Sequence, residues 1–201
     1  MFCIKVRRNI HLEYVKDLET PAVIVDLDIM EKNLKHTAEL ARNAGVKLRP
    51  HCKTHKSIWI AKKQLEYGAA GITVAKLSEV EVMVNGGIDD ILVAYPIVGE
   101  KKLKRLEKLI KRASIIVCTD SVEVSQGLSD LGVSMGRKIK TYVQVNSGLQ
   151  RCGREPGEET VELVKSIIGL PGIEIIGLIT HAGFSYDYVG EDSIITFLAV
   201  L

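Results

Sequence analysis

The stretch Leu48-Arg49-Pro50-His51-Cys52-Lys53-Thr54-His55-Lys56 joins a predicted strand to a predicted helix through a loop dense in cations. The apolar run Val46 to Leu48 leads into it, Pro50 interrupts regular structure, and an amphipathic segment from Ser57 to Tyr67 follows. A strand, a loop and a helix in this order mark the place where β/α proteins keep their chemistry. In an extended segment alternate side chains share a face, which sets His51, Lys53 and His55 together and turns Cys52 and Thr54 away. Arg49, Lys53 and Lys56 concentrate positive charge, which with partial burial lowers a lysine's pKa and favours the free amine. A free amine beside cationic groups suits imine formation with a carbonyl compound, and the cations suit a phosphate. The same residues also fit a solvated positive face, or a metal pair at His51 and His55 lacking a third ligand at a recognisable spacing.

Working outward, the chain alternates short β-branched runs with amphipathic segments. Ala22 to Asp26 is a strand, and Asp28 with Glu31 resembles a capping box opening a helix that Gly45 ends. Beyond the cationic loop, buried-type strands are predicted at Gly71 to Ala75, Ile91 to Ala94, Ser114 to Cys118, Lys140 to Val145 and Ile173 to Ile179. Helices are predicted between them, with Asp120 or Ser121 capping one and Gly86-Gly87 closing another. The segment Glu100 to Arg112 is strongly basic, but Leu103, Leu106, Leu109 and Ile110 form one apolar stripe and aromatics are absent, so it reads as the solvated outer face of a helix. Such alternation implies parallel βαβ units, in a barrel or an open doubly wound sheet. No GxGxxG or GxxxxGKS loop follows the early strands, which argues against dinucleotide and P-loop sites.

The run from Arg49 to Lys56 resembles the cofactor-lysine motif of the D-threonine aldolase and D-serine dehydratase-like family, pyridoxal-phosphate enzymes related to the alanine racemase N-terminal barrel. The resemblance extends from about Leu18 to about Tyr188 and includes the segments Ala75 to Glu79 and Asp89 to Pro96. It implies that Lys53 carries the Schiff base to pyridoxal 5'-phosphate, with His51 beside it; Lys76, the rival lysine, lacks cationic neighbours. It also implies an α/β fold, a (β/α)8 TIM barrel of the alanine racemase N-terminal type. Val46 to Leu48 would open that barrel, and a C-terminal β-domain would take in the first strand. Only six barrel strands are visible, so residues 1–201 are expected to form a partial pyridoxal-phosphate-binding barrel, truncated before the last strands and that β-domain.

Two further strand ends carry polar groups. The first is Asn146-Ser147-Gly148-Leu149-Gln150-Arg151-Cys152-Gly153, where glycines let backbone approach a ligand and Arg151 is a permanent donor. Arg151 resembles the family arginine that contacts the cofactor's phenolic oxygen, and Asn146 stands where relatives usually carry Asp. The second is Thr180-His181-Ala182-Gly183-Phe184-Ser185-Tyr186, whose hydroxyls make a phosphate or substrate cradle and whose histidine can relay a proton. By resemblance Thr180, Ser185 and Tyr186 bind the cofactor, and His181 joins Lys53 as a catalytic residue.

The implied substrate is a small D-3-hydroxy amino acid, cleaved to glycine and an aldehyde or dehydrated towards a keto acid. The alternatives are an amino-acid racemase, a cofactor-carrying regulatory protein and an inactive barrel. The family's divalent metal would be bound by segments that follow, with no ligands in this chain, and a homodimer is allowed for. A net charge of +2 gives no case for nucleic acid or a membrane surface. Cys3, Cys52, Cys118 and Cys152 lack CxxC spacing, which suits the reducing cytoplasm. Residues Met1 to Lys16 lack the apolar core of a signal peptide, and no stretch approaches the ~20 apolar residues of a membrane span.

Overall fold

The computed structural model describes residues 4–6 and 18–183. Strand β1 (Ile4–Val6) pairs in parallel with β2 (Ile24–Asp26). Helix α1 (Leu27–Asn43) follows at once. Its cap is Asp26, the last extended residue, whose carboxylate accepts from Ile29 N at 3.0 Å. The predicted box at Asp28 and Glu31 is therefore corrected: both residues already lie inside the helix. Ala38 is the one buried residue described in α1, and Ile29 and Leu40 stay exposed.

The remaining elements alternate strictly. Helix α2 (Ile58–Glu66) is capped by Ser57, and β3 (Ile72–Val74), α3 (Leu77–Asn85), β4 (Asp90–Val93) and α4 (Glu100–Ile110) follow. Then come β5 (Ser114–Thr119), α5 (Val122–Ser134) capped by Ser121, β6 (Ile139–Val145), α6 (Glu158–Ile167) and β7 (Ile173–Thr180).

Strands β3 to β7 form one sheet in sequence order, every pair parallel. An open doubly wound sheet reverses its order at a switch point, and this sheet does not. Helices α3 to α6 each pack on the next, so the winding runs in one direction, as in a barrel wall. Strand order thus decides the alternative that periodicity left open.

The predicted strand at Val46 to Leu48 is not a regular one. This segment runs beside β3 with Ala70 N on Leu48 O, Thr73 N on Pro50 O and Cys52 N on Thr73 O, but only His51 and Thr73 form a bridge. Pro50 has no N–H to give, which interrupts the ladder.

Because side chains alternate along a strand, Ile72, Val74, Ile91, Val93, Val117 and Val143 point to the helices. They are buried against Val80, Met83, Leu106, Leu128, Leu163 and Ile167. Each such side chain contributes about 1.5–3 kcal/mol on burial. Thr73, Leu92, Gln144 and Ile179 face the other way, towards the barrel interior. The basic segment behaves as predicted: α4 buries Leu106, Leu109 and Ile110, and Arg105 forks onto Glu81 of α3. No described helix is long and apolar enough to cross a membrane.

Candidate functional site

Past His51 the chain turns rather than continuing extended. Lys56 N closes on Cys52 O at 2.8 Å, and Lys56 takes a left-handed backbone with φ 49°. The expectation that His51, Lys53 and His55 share a face is corrected by this turn. His51 and Lys53 line one cavity, while His55 faces another with Thr54 and Lys56. Cys52 points inward and is buried, and burial pushes its thiol up to about 11.

One carboxylate from α3 holds the turn. Glu79 accepts from Lys56 Nζ at 2.6 Å and, with its other oxygen, from Ala75 N at 2.8 Å. Burial pushes this carboxyl up, but Lys56, the Ala75 amide and Lys76 outweigh it and hold the group below the usual carboxylate range.

The loop after β6 is organised by Asn146, which is 5% exposed. Its Oδ1 accepts from Gly148 N at 3.2 Å and Gln150 N at 3.1 Å, and its Nδ2 donates to Glu155 Oε1 at 2.6 Å. Asp120, at the end of β5, accepts from Gly153 N and Arg154 Nε. Gly153 has φ 100°, and a Cβ there would lie 2.6 Å from Asn146 N and 2.7 Å from Val145 C. Only glycine fits so close a backbone crossing. Between these anchors Arg151 faces the cavity.

The cavity has a volume of about 290 Å³ and lies over the C-terminal ends of the strands. His51, Lys53, Arg151, Thr180 and His181 line it together with Arg49 and Gln144. None of the described lining residues is acidic. Arg49 is already paired with Asp90 at 2.7 Å, so Lys53 and Arg151 supply the positive charge. A larger cavity of about 690 Å³ lies between Val23, Val25 and α2, away from these cations; being mainly apolar, it offers little to an anion.

Both cavity histidines are held below their ordinary value of 6.5, His51 by burial and then by Lys53, His181 by burial and then by Arg151 and Lys53. They are therefore neutral at neutral pH. His51 Nδ1 accepts from Lys53 N at 3.2 Å, which leaves the proton on Nε2. Thr180 Oγ1 donates to the Val145 carbonyl at 2.9 Å and lies 2.7 Å from the Ser147 hydroxyl, so it ties β7 to the arginine loop as well as lining the cavity. At the cavity floor Gln144 Nε2 lies 3.0 Å from Cys152 Sγ, and its Oε1 accepts from Cys118. Ser185 and Tyr186 lie outside the described residues.

The sequence reading brings His51, Lys53, Arg151, Thr180 and His181 to this cavity. It misses Glu79, Asp120, Glu155 and Gln144, which act on the loops through contacts that only the folded chain brings together. For Glu79 a signal exists: it sits in the first turn of a helix that follows a buried strand, within reach of that strand's last amide. No group of three or more metal-ligating side chains occurs among the described residues.

A parallel barrel wall thus carries a lysine, an arginine and two neutral histidines around one cavity over its strand ends. Residues 25–199 match the family model of the alanine racemase N-terminal domain, and the chain belongs to that family. It is 36% identical over 171 residues to D-threonine aldolase of Arthrobacter sp., and 32% over 169 residues to 3-hydroxy-D-aspartate aldolase of Paracoccus denitrificans. These alignments cover 85% and 83% of this chain but 45% and 44% of the relatives, so the chain spans under half their length. Among solved structures, D-threonine aldolase from Filomicrobium marinum superposes with a TM-score of 0.77 at 41% identity, covering 81% of this chain and 44% of that one. D-threo-3-hydroxyaspartate dehydratase from Delftia sp. HT23 gives 0.82 at 31%, covering 90% and 48%.

Proposed function

We propose that this chain is the cofactor-binding part of a pyridoxal-phosphate-dependent lyase acting on D-3-hydroxy amino acids, of the D-threonine aldolase or D-serine dehydratase type. The observation that carries the reading is the cavity itself: a lysine and an arginine with two neutral histidines, and no acid among the described lining residues. Its donors fit an aldehyde-bearing phosphate ester, with Lys53 as the covalent attachment point and Arg151, His51 and Thr180 as holding groups. Ser185 and Tyr186 complete this list from beyond the described residues. When bound, pyridoxal phosphate withdraws electrons from a substrate's α-carbon and so weakens a bond there.

The remaining work falls to the protein. Lys53 Nζ is the first group able to take or return a proton at the α-carbon. His181, held neutral beside Arg151 and Lys53, can accept a proton from a substrate hydroxyl, as carbon–carbon cleavage to glycine and an aldehyde requires. His51 offers Nε2–H as a donor and holds its ring through the Lys53 amide. Arg151 stays charged and orients the anionic ligand. The scattered cysteines support a cytoplasmic setting for this activity, with a small D-amino acid as substrate.

The test is an absorption spectrum with and without pyridoxal 5'-phosphate. A visible band that borohydride fixes to the peptide containing Lys53, absent in Lys53→Ala, supports the reading and leads to assays on D-threonine and D-serine with added divalent metal. Absence of a band at saturating cofactor overturns it. Racemisation of an added amino acid, with no aldehyde, glycine or keto acid formed, would transfer the site to a racemase.

A further inference from the structure

The loop carrying Arg151 is fixed by a contact whose polarity could run in either direction. Asn146 uses both halves of its carboxamide. Its oxygen must be the atom facing Gly148 N and Gln150 N, because backbone amides only donate; its nitrogen then faces the Glu155 carboxylate at 2.6 Å. Glu155 is itself exposed, but its backbone carbonyl receives the hydroxyl of buried Thr160 at 2.6 Å, which anchors it to the start of α6. Asn146 N receives no help from this pair; it donates to Arg154 O and so closes the loop from its far end.

We propose that Asn146 is a positioning residue, which with Glu155 forms a polarity-matched latch that holds the Asn146–Arg154 loop in the shape presenting Arg151 to the cavity. An aspartate at 146 would keep both acceptor bonds but set two carboxylates at hydrogen-bond distance. Exchanging the partners, carboxylate at 146 and amide at 155, restores one donor facing one acceptor. The latch rests on geometry alone, while its effect on ligand binding rests on the proposed pyridoxal-phosphate site.

The test compares wild type, Asn146→Asp, Glu155→Gln and the double exchange, all without cofactor, by amide hydrogen exchange read residue by residue in NMR spectra. Asn146→Asp is expected to speed exchange at Gly148 and Gln150 by about tenfold, and the double exchange to return it to within about threefold of wild type. Glu155→Gln alone should stay near wild type, because a glutamine oxygen still accepts from Asn146. Unchanged exchange in Asn146→Asp, or a double exchange no better than it, overturns the latch. Should Asn146→Asp fold poorly, recovery of the wild-type melting temperature by the double exchange carries the same test, and no recovery overturns it. Titration with pyridoxal 5'-phosphate, read by visible absorbance, then asks whether the latch positions Arg151. Affinity should fall about tenfold in Asn146→Asp and return in the double exchange; faster exchange with unchanged affinity overturns the positioning role. No binding by wild type would instead remove the proposed site, and the exchange pattern would still decide the latch.

Discussion

The turn that carries Lys53 lies beside β3 and the loop that carries Arg151 follows β6, so three strands of one wall separate them, and they are held by different means. The lysine turn spans a few residues, closes on itself through Lys56 N and Cys52 O, is tied to β3 through Cys52 N and Thr73 O, and is held by one carboxylate, Glu79. The arginine loop is longer and is pinned from both flanks, by Asp120 at the end of β5 and by Glu155 before α6, with Asn146 at its start. On the proposed reading, a short turn around a covalent attachment point can tolerate looseness, because bond formation supplies the final constraint. A loop that offers only a charged donor must hold its shape beforehand, since binding would otherwise have to order it.

The largest expected effect separates the two roles. Lys53→Ala should abolish covalent attachment of pyridoxal phosphate altogether, whereas Arg151→Met should keep attachment and weaken affinity by about tenfold or more, the loss of one charge-assisted contact. Borohydride trapping and an absorbance titration measure the two effects on the same samples. Equal loss in both variants would break the distinction between an attachment group and a holding group.

Next in size is the backbone crossing in the arginine loop. Gly153→Ala places a Cβ against Val145 and Asn146 at a φ of 100°, so it should lower stability by about 2–3 kcal/mol. Denaturant unfolding measures this, and the accompanying drop in cofactor affinity should exceed that of any substitution at Thr54, on the far side of the lysine turn. A Gly153→Ala protein of wild-type stability would mean that the loop can shift without cost. Glu79→Gln comes third. The Lys56 side chain is 55% exposed, so solvent screens the pair and the stability change should be ~1 kcal/mol at most. Its sharper readout is proteolytic sensitivity at Lys53 and Lys56, which should rise as the turn loosens.

The same contrast explains what could be read from the sequence. Strand and helix positions were legible because their apolar periodicities are local, and the cationic run was legible as a motif. The shape of that run was not: alternation predicts one face for His51, Lys53 and His55, and only the Lys56 N to Cys52 O closure turns His55 away. The cap of α1 shows a similar limit, since Asp26 and Asp28 are equally good caps in sequence and the end of β2 selects between them. Asn146 is the clearest case. Seen alone it removes a charge from the strand end; beside Glu155 it supplies the donor that the local arrangement requires.

The smallest expected effect is a dependence on pH, and its two windows belong to different groups. His51 and His55 in the lysine turn and His181 over the arginine loop all have pKa values lowered below 6.5, burial being the largest cause in each. Between the lowered folded value and 6.5 the unfolded chain binds more protons than the folded one. Their share of stability is therefore complete above about pH 6.5 and is lost as the pH falls below it. Glu79 has the lowered pKa of a paired carboxylate, so its share is complete above the ordinary value of 4.5 and is lost only as the pH falls further, through its folded value. Melting temperatures of the cofactor-free protein should accordingly fall in two stages between pH 8 and pH 3. His181→Gln should reduce the first stage and leave the second, and Glu79→Gln should do the reverse. A single stage confined to acid pH would show that the histidines are free to protonate in the folded protein, and with that the neutral His181 on which the proposed proton transfer depends would be lost.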